Sequence, residues 1–181
     1  MRVISGRFAG KSLKAPSDQR IHPMSEKARA AIFSVLGDVS QLTAADLYAG
    51  SGAIGLESVS RGVSHIVFVD SLKSSILSIE DNINSLGLDK DTYQVIQKPV
   101  SSWSRQELRR FDLIFADPPY AESPLDVLDD LRDRLLPGGL IVLSWPGKLD
   151  LPEVDGLSLI RSKRYGDAQI AYFRKTDLTS R

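Results

Sequence analysis

The sequence contains no cysteine and only two histidines, His22 and His65. Without cysteine there are no disulfides, no thiolate zinc sites and no cysteine nucleophiles, and two histidines argue against a histidine-rich metal site. No apolar run approaches the ~20 residues that a membrane span needs. The first ten residues, MRVISGRFAG, are interrupted by arginine and glycine, unlike a signal peptide. We therefore expect a cytoplasmic protein with no metal and no membrane association.

The net charge of zero conceals three segments of different charge. Residues 1–30 carry +5, residues 31–160 carry −9 and residues 161–181 carry +4. Basic segments on either side of an acidic middle are typical of proteins that contact nucleic acid, although short charged ends are also common on solvated surfaces. The charge pattern therefore leaves both interpretations open.

The 181 residues, 42% of them hydrophobic, suit one globular core. Residues 1–20 predict a hairpin around the turn GRFAG, and Ser25 is placed to cap a helix that ends at Gly37. From Thr43 onward, strand patterns alternate with helical ones: strands in AADLYA, HIVFVD, YQVIQ, FDLIFAD and LIVLSW, with helices to Arg61, to about Leu86, near 103–109 and over 125–136. Such alternation predicts a parallel, doubly wound α/β sheet. The Pro-Gly-Gly at 137–139 is predicted to end the last helix, and the tail predicts a final hairpin through Gly166 and Asp167. We expect an extension over 1–42, a core over 43–175 and a frayed tail over 176–181.

A glycine-rich loop follows the first core strand. Gly50, Gly52 and Gly55 satisfy G-x-G-x-x-G between a strand and a helix, and Asp70 ends the next strand twenty residues after Gly50. This spacing is typical of a loop that binds a nucleotide while the acidic residue accepts ribose hydroxyls. A structural turn that binds nothing is the alternative.

Asp46, at the entrance of this loop, bears on which nucleotide is bound. A carboxylate there would repel the pyrophosphate of a dinucleotide, whereas S-adenosylmethionine has no phosphate and carries an ammonium and a sulfonium group. Asp46 therefore favours adenosylmethionine over NAD, although it could also simply cap the following turn. The residues expected to bind the cofactor are Asp46, Tyr48, Ala49, Gly50, Ser51, Gly52, Asp70 and Ser71.

The fourth core strand ends in Asp117-Pro118-Pro119-Tyr120. Two prolines fix φ and remove two backbone donors, which leaves a rigid stretch of outward carbonyls. The Asp117 carboxylate and the Pro118 carbonyl could each accept one proton of an exocyclic amine and orient its nitrogen for attack on a methyl group. Tyr120 could stack on a base that is unpaired or flipped out. These four residues are the predicted catalytic site, and an ordinary Pro-Pro turn is the alternative.

With these motifs, the chain resembles the bacterial methyltransferases that modify guanine N2 in 16S ribosomal RNA. The resemblance extends over about residues 1–175, through RVISGRFAGKSLKAP, HPMSEKARAAIFSVLG, DLYAGSGAIGLESVSRG, FADPPY, LLPGGLIVLSW and KRYGDAQ. It implies a class I methyltransferase fold, Rossmann-like, with seven mostly parallel strands, the last one antiparallel. It also implies adenosylmethionine as cofactor, 16S rRNA as partner, within a 30S subunit or an assembly intermediate, and an N-terminal hairpin that helps to hold RNA.

Carried over by position, the resemblance implies that Asp46, Gly50 and Gly52 line the cofactor loop, that Asp70 takes the ribose and that 117–120 form the amine site. The chain departs from the family at two places: Pro99 stands about where an acidic adenine contact is common, which leaves that role to backbone or Gln97, and Ser144-Trp145-Pro146 follows the fifth strand where relatives often carry glutamate. The candidate RNA contacts are Arg7, Lys11, Arg29, Lys163, Arg164 and Tyr165.

Three other functions remain open. An adenine-N6 methyltransferase acting on DNA or RNA could use the same Asp-Pro-Pro-Tyr tetrad. An NAD-dependent oxidoreductase would explain the glycine loop and Asp70 but would leave the tetrad without a role. A catalytically silent RNA-binding module would not need the intact Asp117 and Tyr120.

Overall fold

A computed structural model describes residues 1–18, 24–119 and 125–176. In these ranges the chain forms helices α1 (Glu26–Leu36), α2 (Ala53–Ser60), α3 (Lys73–Leu86), α4 (Val100–Gln106) and α5 (Leu125–Asp133), with a 3-10 turn at Lys90–Thr92. The strands are β1 (Thr43–Leu47), β2 (His65–Asp70), β3 (Tyr93–Gln97), β4 (Phe111–Ala116), β5 (Leu135–Pro146), β6 (Leu157–Tyr165) and β7 (Ala168–Lys175).

The seven strands form one sheet in the order β3-β2-β1-β4-β5-β7-β6. Strands β1 to β5 pair in parallel, and β7 pairs antiparallel with both β5 and β6. Strand β7 is therefore the one strand of this sheet that opposes the other six. The predicted doubly wound α/β sheet with an antiparallel last strand is confirmed.

Each face of the sheet carries its own apolar core. Residues of β1, β2 and β4 that point to one face, such as Phe68 and Phe115, pack with α1, α2 and α3. Residues that point to the other face, such as Val67 and Ile114, pack with α4 and α5. The central strands are buried on both faces, as expected of a parallel sheet covered by helices. No described helix combines the length and hydrophobicity needed to cross a bilayer.

The N-terminal segment forms the predicted hairpin, although only one bridge, between Arg2 and Ser12, has strand geometry. The Val3 N–H donates to the Lys11 carbonyl and the Gly10 N–H to the Val3 carbonyl, both at 2.9 Å. Val3 and Leu13 are buried in the core that contains α1, α2 and α3. The segment is thus packed into the main body of the protein.

Helix α1 begins and ends where the sequence indicates. The Ser25 hydroxyl accepts the Ala28 N–H at the N-terminus, and Gly37 adopts φ 73° at the C-terminus. This arrangement satisfies one of the amide donors that have no partner in the first turn of a helix.

Two predicted helix boundaries were wrong. Helix α4 ends at Gln106, because the Glu107 side chain accepts the N–H groups of Leu108 and Arg109 and so replaces the next helical turn. Helix α5 ends at Asp133, not at 136, because the Arg134 carbonyl accepts the Phe111 N–H at 2.8 Å and draws the chain into the sheet.

The Pro-Gly-Gly stretch does not join helix to strand as predicted but lies inside β5. Leu135 pairs with Phe111 and Leu140 with Leu113, so β5 contains extra residues between two pairs. Gly138 adopts φ 73°, and a Cβ on Gly139 would lie 3.1 Å from the Phe111 and Asp112 carbonyl oxygens. Glycine is therefore needed where the strand bulges toward its neighbour. Strand β5 includes Ser144 and Trp145, as the predicted strand LIVLSW does, and ends one residue later at Pro146.

The C-terminal hairpin is confirmed. Strands β6 and β7 are joined through Gly166, which adopts φ 63°, and Asp167. Residues 177–181, most of the predicted tail, lie outside the described residues.

Candidate functional site

The order of the strands places the two predicted motifs side by side. Strands β1 and β4 are neighbours in the sheet. From β1 the chain adds β2 and β3 on one side, and it then returns to add β4 and β5 on the other side. The glycine loop follows β1, and Asp117 follows β4. In doubly wound sheets, ligands bind in the crevice beyond the carboxyl ends of the strands at such a point.

The glycine loop is a tight turn held by the end of β2. Tyr48, Gly50 and Gly52 adopt φ of 56°, 57° and 74°. The Gly50 N–H donates to Asp70 Oδ2 at 2.8 Å, and the Ala49 N–H donates to the Val69 carbonyl at 3.2 Å. A left-handed conformation at a non-glycine residue such as Tyr48 is uncommon and is often found at functional sites.

Asp70 accepts a backbone hydrogen bond with each of its two carboxylate oxygens. Its Oδ1 accepts the Leu72 N–H at 2.9 Å while its Oδ2 accepts Gly50, and the residue is 7% exposed. A carboxylate offers about four lone-pair positions, so acceptor capacity remains for ribose hydroxyls. Next to it, the Ser71 carbonyl accepts the Gln97 side-chain amide at 3.4 Å, which places Gln97 beside the end of β2. The roles of Asp70 and Gln97 toward a cofactor stay predictions.

The third glycine of the motif, Gly55, is required by close packing. A Cβ at this position would lie 2.3 Å from a ring carbon of Phe68. Its N–H donates to Asp46 Oδ2 at 2.9 Å. The Asp46 carboxylate therefore accepts a hydrogen bond from one of the N–H groups in the first turn of α2, and this N–H is not free for another ligand.

Asp46 is 3% exposed, and burial raises its pKa to about 8, with further contributions from the neighbouring carboxylates of Asp117 and Asp70. The Gly55 hydrogen bond opposes this rise. A carboxyl group held in this way favours a cationic partner, because a positive charge offsets the cost of burying the carboxylate. Among the described residues, no group of three or more histidine, cysteine or acidic side chains is arranged to hold a metal ion.

Asp117 begins the second motif at the same edge. Its N–H lies 3.5 Å from the Leu47 carbonyl, which joins the ends of β4 and β1. Burial raises the pKa of Asp117, and hydrogen bonding from the Ser144 side chain opposes that rise. Pro118 is buried and Pro119 is exposed. Tyr120, the last residue of the predicted tetrad, lies outside the described residues.

In the sequence, Ser144 stands out only as part of a departure from relatives. Its register in β5 aims the hydroxyl at Asp117, and the residue is 4% exposed. The pairing of β5 with β4 could not be seen from either strand alone.

The candidate RNA contacts fall in three places. Arg7 lies at the tip of the hairpin, with its guanidinium 4.5 Å from the centroid of the Phe8 ring, and its N–H donates to the Ser60 carbonyl at 2.8 Å. Ser60 ends α2, which starts at the carboxyl edge of the sheet and runs back toward the amino edge. Arg7 therefore lies away from Asp117, and Lys11 is exposed on the second arm of the same hairpin.

The prediction that Arg29 contacts RNA is wrong, because this residue does not lie on the surface. It is fully buried, and its Nη1 and Nη2 donate to the carbonyls of Ala53 and Arg2. Desolvation lowers its pKa, while the charges of Glu57 and Glu26 oppose that change. Arg29 is thus in no position to reach a phosphate, and it ties elements of the fold together.

Lys163, Arg164 and Tyr165 end β6, which runs in the same direction as β5. The structure therefore brings them to the same edge of the sheet as Asp117, three strands from β4, or about 14 Å at ordinary strand spacing. Lys163 and Arg164 are exposed, and the Lys163 Nζ lies 5.6 Å from the centroid of the Tyr165 ring.

The burial of Asp46 predicts a stabilising substitution. Because its pKa is raised in the folded protein, Asp46 contributes stability that is fully present below the unfolded value of 3.8 and is lost as the pH rises toward about 8. Asp46→Asn removes this ionisation and can still accept the Gly55 N–H. We expect thermal unfolding to show that the variant is more stable than the wild type by about 1–3 kcal/mol at pH 7. The difference should shrink toward pH 4. An equal or lower melting temperature at pH 7 would contradict this account of Asp46.

Comparison with known proteins agrees with the geometry. Residues 1–174 match the model of the family described as "Conserved hypothetical protein 95". The Bacillus subtilis protein "Putative rRNA methyltransferase YlbH" is 36% identical over 97% of this chain and 99% of its own. The Escherichia coli "Ribosomal RNA small subunit methyltransferase D" is 27% identical over 95% of this chain and 87% of its own.

Solved structures share the fold. The structure titled "Putative methyltransferase yhhF from Escherichia coli" superposes with a TM-score of 0.87 at 24% identity, over 97% of this chain and 98% of that one. A Thermus thermophilus hypothetical protein superposes with a TM-score of 0.80 at 28% identity, over 95% and 98% of the two chains. The resemblance inferred from the sequence is confirmed at the level of family and fold.

Proposed function

The chain belongs to the family described as "Conserved hypothetical protein 95", and from that premise we propose that it is an S-adenosylmethionine-dependent methyltransferase that acts on ribosomal RNA. We further propose that the acceptor is the exocyclic N2 amine of a guanine in 16S rRNA, in a 30S subunit or an assembly intermediate. The observation that carries the proposal is the meeting of the glycine loop and Asp117 at the β1–β4 switch point. The names of the relatives support the ribosomal substrate.

The residues at this edge fit adenosylmethionine. Asp46 presents a buried carboxyl group that favours a cation, and Asp70 retains acceptor capacity for ribose hydroxyls. Tyr48, Ala49, Ser51 and Ser71 complete the predicted rim of the site. When bound, the cofactor supplies an electrophilic methyl group.

Asp117 and Pro118 are assigned to the target amine. The lone pair of a nucleobase amine is delocalised into the ring, so the amine is a weak nucleophile. A carboxylate and a carbonyl that accept hydrogen bonds from its two N–H groups would orient the nitrogen. They would also stabilise the positive charge that develops on it. Since burial raises the pKa of Asp117, the Ser144 side chain helps to keep the carboxylate ionised. Tyr120 is proposed to stack on the base.

The arrangement of Asp46 argues against NAD as the ligand. A pyrophosphate bound at the start of α2 would need its free N–H groups, and one of them, that of Gly55, already donates to Asp46. Asp70 does not distinguish the two ligands, because a carboxylate at the end of the second strand binds a ribose in NAD sites as well. Adenosylmethionine brings no phosphate and does not need the Gly55 N–H.

Calorimetry with adenosylmethionine, adenosylhomocysteine and NAD tests the cofactor. We expect binding of the first two and none of NAD. Asp70→Ala should weaken adenosylhomocysteine binding by about 1–3 kcal/mol, because ribose hydroxyls lose a charged acceptor and Gly50 loses its partner. Glu80→Ala, which removes an exposed carboxylate from α3, is the control and should change nothing. Tight binding of NAD without binding of adenosylmethionine would reject the assignment.

Methyl transfer from labelled cofactor to 30S particles, free 16S RNA and DNA, followed by nucleoside mapping, tests the acceptor. N2-methylguanosine in 16S RNA is the expected product. N6-methyladenosine would instead support the alternative, an adenine methyltransferase that uses the same Asp117 site. The comparison of particle with free RNA identifies the form of the substrate.

The basic residues are proposed to hold RNA phosphates, Arg7 and Lys11 from the hairpin and Lys163, Arg164 and Tyr165 from the end of β6. Replacing Arg7 and Lys11 together with alanine should weaken RNA binding. It should also reduce the slope of log K against log salt by about 0.7–0.9 for each lost phosphate contact.

RNA affinity at several salt concentrations measures this slope. Lys90→Ala with Arg110→Ala removes the same charge from exposed positions outside the hairpin and is the matched control. If the slope of the Arg7/Lys11 variant equals that of the wild type, the hairpin charges are solvated and make no phosphate contacts.

A further inference from the structure

Each arm of the N-terminal hairpin is tied to the glycine loop by one buried side chain of another element. On the second arm the tie is Asn82 of α3. Its Oδ1 accepts the Lys14 N–H at 2.8 Å, and its Nδ2 donates to the carbonyls of Lys14 and Ser51, both at 3.0 Å. Asn82 is 1% exposed. All its polar groups are thus used to join Lys14 of the hairpin to Ser51 of the loop.

On the first arm the tie is Arg29 of α1. Its Nη2 donates to the Arg2 carbonyl at 2.8 Å, and its Nη1 donates to the Ala53 carbonyl at 3.3 Å. The two carbonyls that are held, that of Ser51 in the loop and that of Ala53 at the start of α2, stand on either side of Gly52. The hairpin and the turn that carries Gly52 are therefore fastened to the same two side chains.

Resting on the proposed function, we propose that Asn82 and Arg29 are positioning residues of the cofactor loop, which they hold in its binding conformation against the N-terminal hairpin. Neither needs to touch the cofactor. The hairpin is then a structural part of the cofactor site, whatever its contacts with RNA.

Anchoring of the hairpin alone does not account for Asn82. The Ser78 hydroxyl, one turn earlier on α3, also donates to the Lys14 carbonyl at 3.0 Å. Asn82 adds an acceptor for the Lys14 N–H and, on the side of the cofactor loop, the bond to the Ser51 carbonyl. An asparagine offers an acceptor and two donors, the combination needed to take the Lys14 N–H and two carbonyls at once. Asparagine is also a weak helix former and costly to bury without partners, so its place inside α3 calls for such a role.

The effect on binding follows from the shape of the loop. Gly50 and Gly52 both adopt positive φ, and glycine has the widest choice of backbone conformations. A loop released from Ser51 would sample more of them, and the cofactor would have to order it on binding. Loss of the tie should therefore appear as weaker cofactor binding.

The test compares Asn82→Ala with Ser78→Ala. Both lose a bond to the Lys14 carbonyl, but Asn82→Ala also loses the bond to the Ser51 carbonyl and the acceptor of the Lys14 N–H. With adenosylhomocysteine as the probe, calorimetry at a temperature where thermal unfolding shows both variants folded should give at least about 10-fold weaker binding for Asn82→Ala, the equivalent of one charge-free hydrogen bond. Ser78→Ala should bind within 2-fold of the wild type. Equal affinities for a folded Asn82→Ala and the wild type would overturn the proposal.

Arg29→Lys decides the matter if Asn82→Ala does not fold. It keeps the buried charge beside Glu57, but its single nitrogen cannot take the positions of both Nη1 and Nη2, from which the guanidinium donates to the carbonyls of Ala53 and Arg2. We expect a several-fold rise in the KM for adenosylmethionine with an unchanged KM for RNA, and an unchanged KM for both would overturn the proposal. Failure of the proposed function itself looks different, since the wild type would then not bind adenosylhomocysteine at all.

Discussion

Asp117→Ala is expected to lower the rate of methyl transfer by about 10²–10⁴-fold, the range for loss of a proton-accepting side chain, with cofactor affinity within a few fold of the wild type. The carboxylate is assigned to the target amine, so its loss should act on the transition state. Asp117→Asn keeps one oxygen acceptor without the charge. Its rate of methyl transfer should lie between those of the wild type and Asp117→Ala. Because burial raises the pKa of Asp117, kcat/KM should rise with pH as this group ionises.

Single-turnover transfer to 16S RNA or 30S particles, with calorimetry for the cofactor, separates these effects. Asp150→Ala removes an exposed carboxylate that follows β5 and is the control. A folded Asp117→Ala that turns over near the normal rate would remove the amine-site assignment. A wild-type protein that binds RNA and cofactor without transferring methyl groups would instead indicate a catalytically silent module.

Glu57→Ala is expected to destabilise the protein by about 3–5 kcal/mol, the usual loss when one member of a buried charged network is removed. Glu57 is fully buried and accepts the N–H groups of Ile4 at 2.6 Å and Ser5 at 3.0 Å, and Arg61 Nε at 2.7 Å. Its charge also faces that of buried Arg29. The variant would leave two amides without an acceptor and would remove the larger of the two carboxylate charges that offset the buried Arg29 guanidinium.

Thermal unfolding should show this loss as a fall in Tm of about 2–4 °C for each kcal/mol in a chain of this size. Arg61→Ala should have a smaller effect, because the Arg61 side chain is 22% exposed and water can replace it. Glu80→Ala, on the exposed face of α3, should change stability by no more than about 0.5 kcal/mol. A Glu57→Ala variant as stable as Glu80→Ala would show that the hairpin does not depend on this carboxylate.

The glycine loop and Asp70, at the carboxyl edge of the sheet, could be predicted from local sequence patterns, and the structure contains both features. The G-x-G-x-x-G loop could be placed because a strand and a helix enclose it, and Asp70 because it ends the next strand. These signals are short in range. The pairing of strands, which brings Asp117 to Asp46 and Ser144 to Asp117, depends on residues far apart in the chain.

The misplaced features have the same cause. Arg29 was expected on the surface because arginine usually is, but α1 packs it against the carbonyls of Arg2 and Ala53. Pro-Gly-Gly was expected to be a turn, but β4 draws Leu135 into the sheet and makes the glycines a bulge. In both cases a tertiary contact prevailed over the preference of the residue type.

The sequence by itself determined the alternation of strands and helices, the hairpin turns and the order of the motifs, because hydrophobic period, caps and glycines act within a few residues. The tertiary structure alone decided which polar groups are buried together. Asp46 takes its raised pKa from burial beside Asp70 and Asp117. Glu57 and Asn82, which look like ordinary helix residues in the sequence, hold the hairpin because helices α2 and α3 turn them inward. Burial and partner are properties of packing, and no spacing along the chain encodes them.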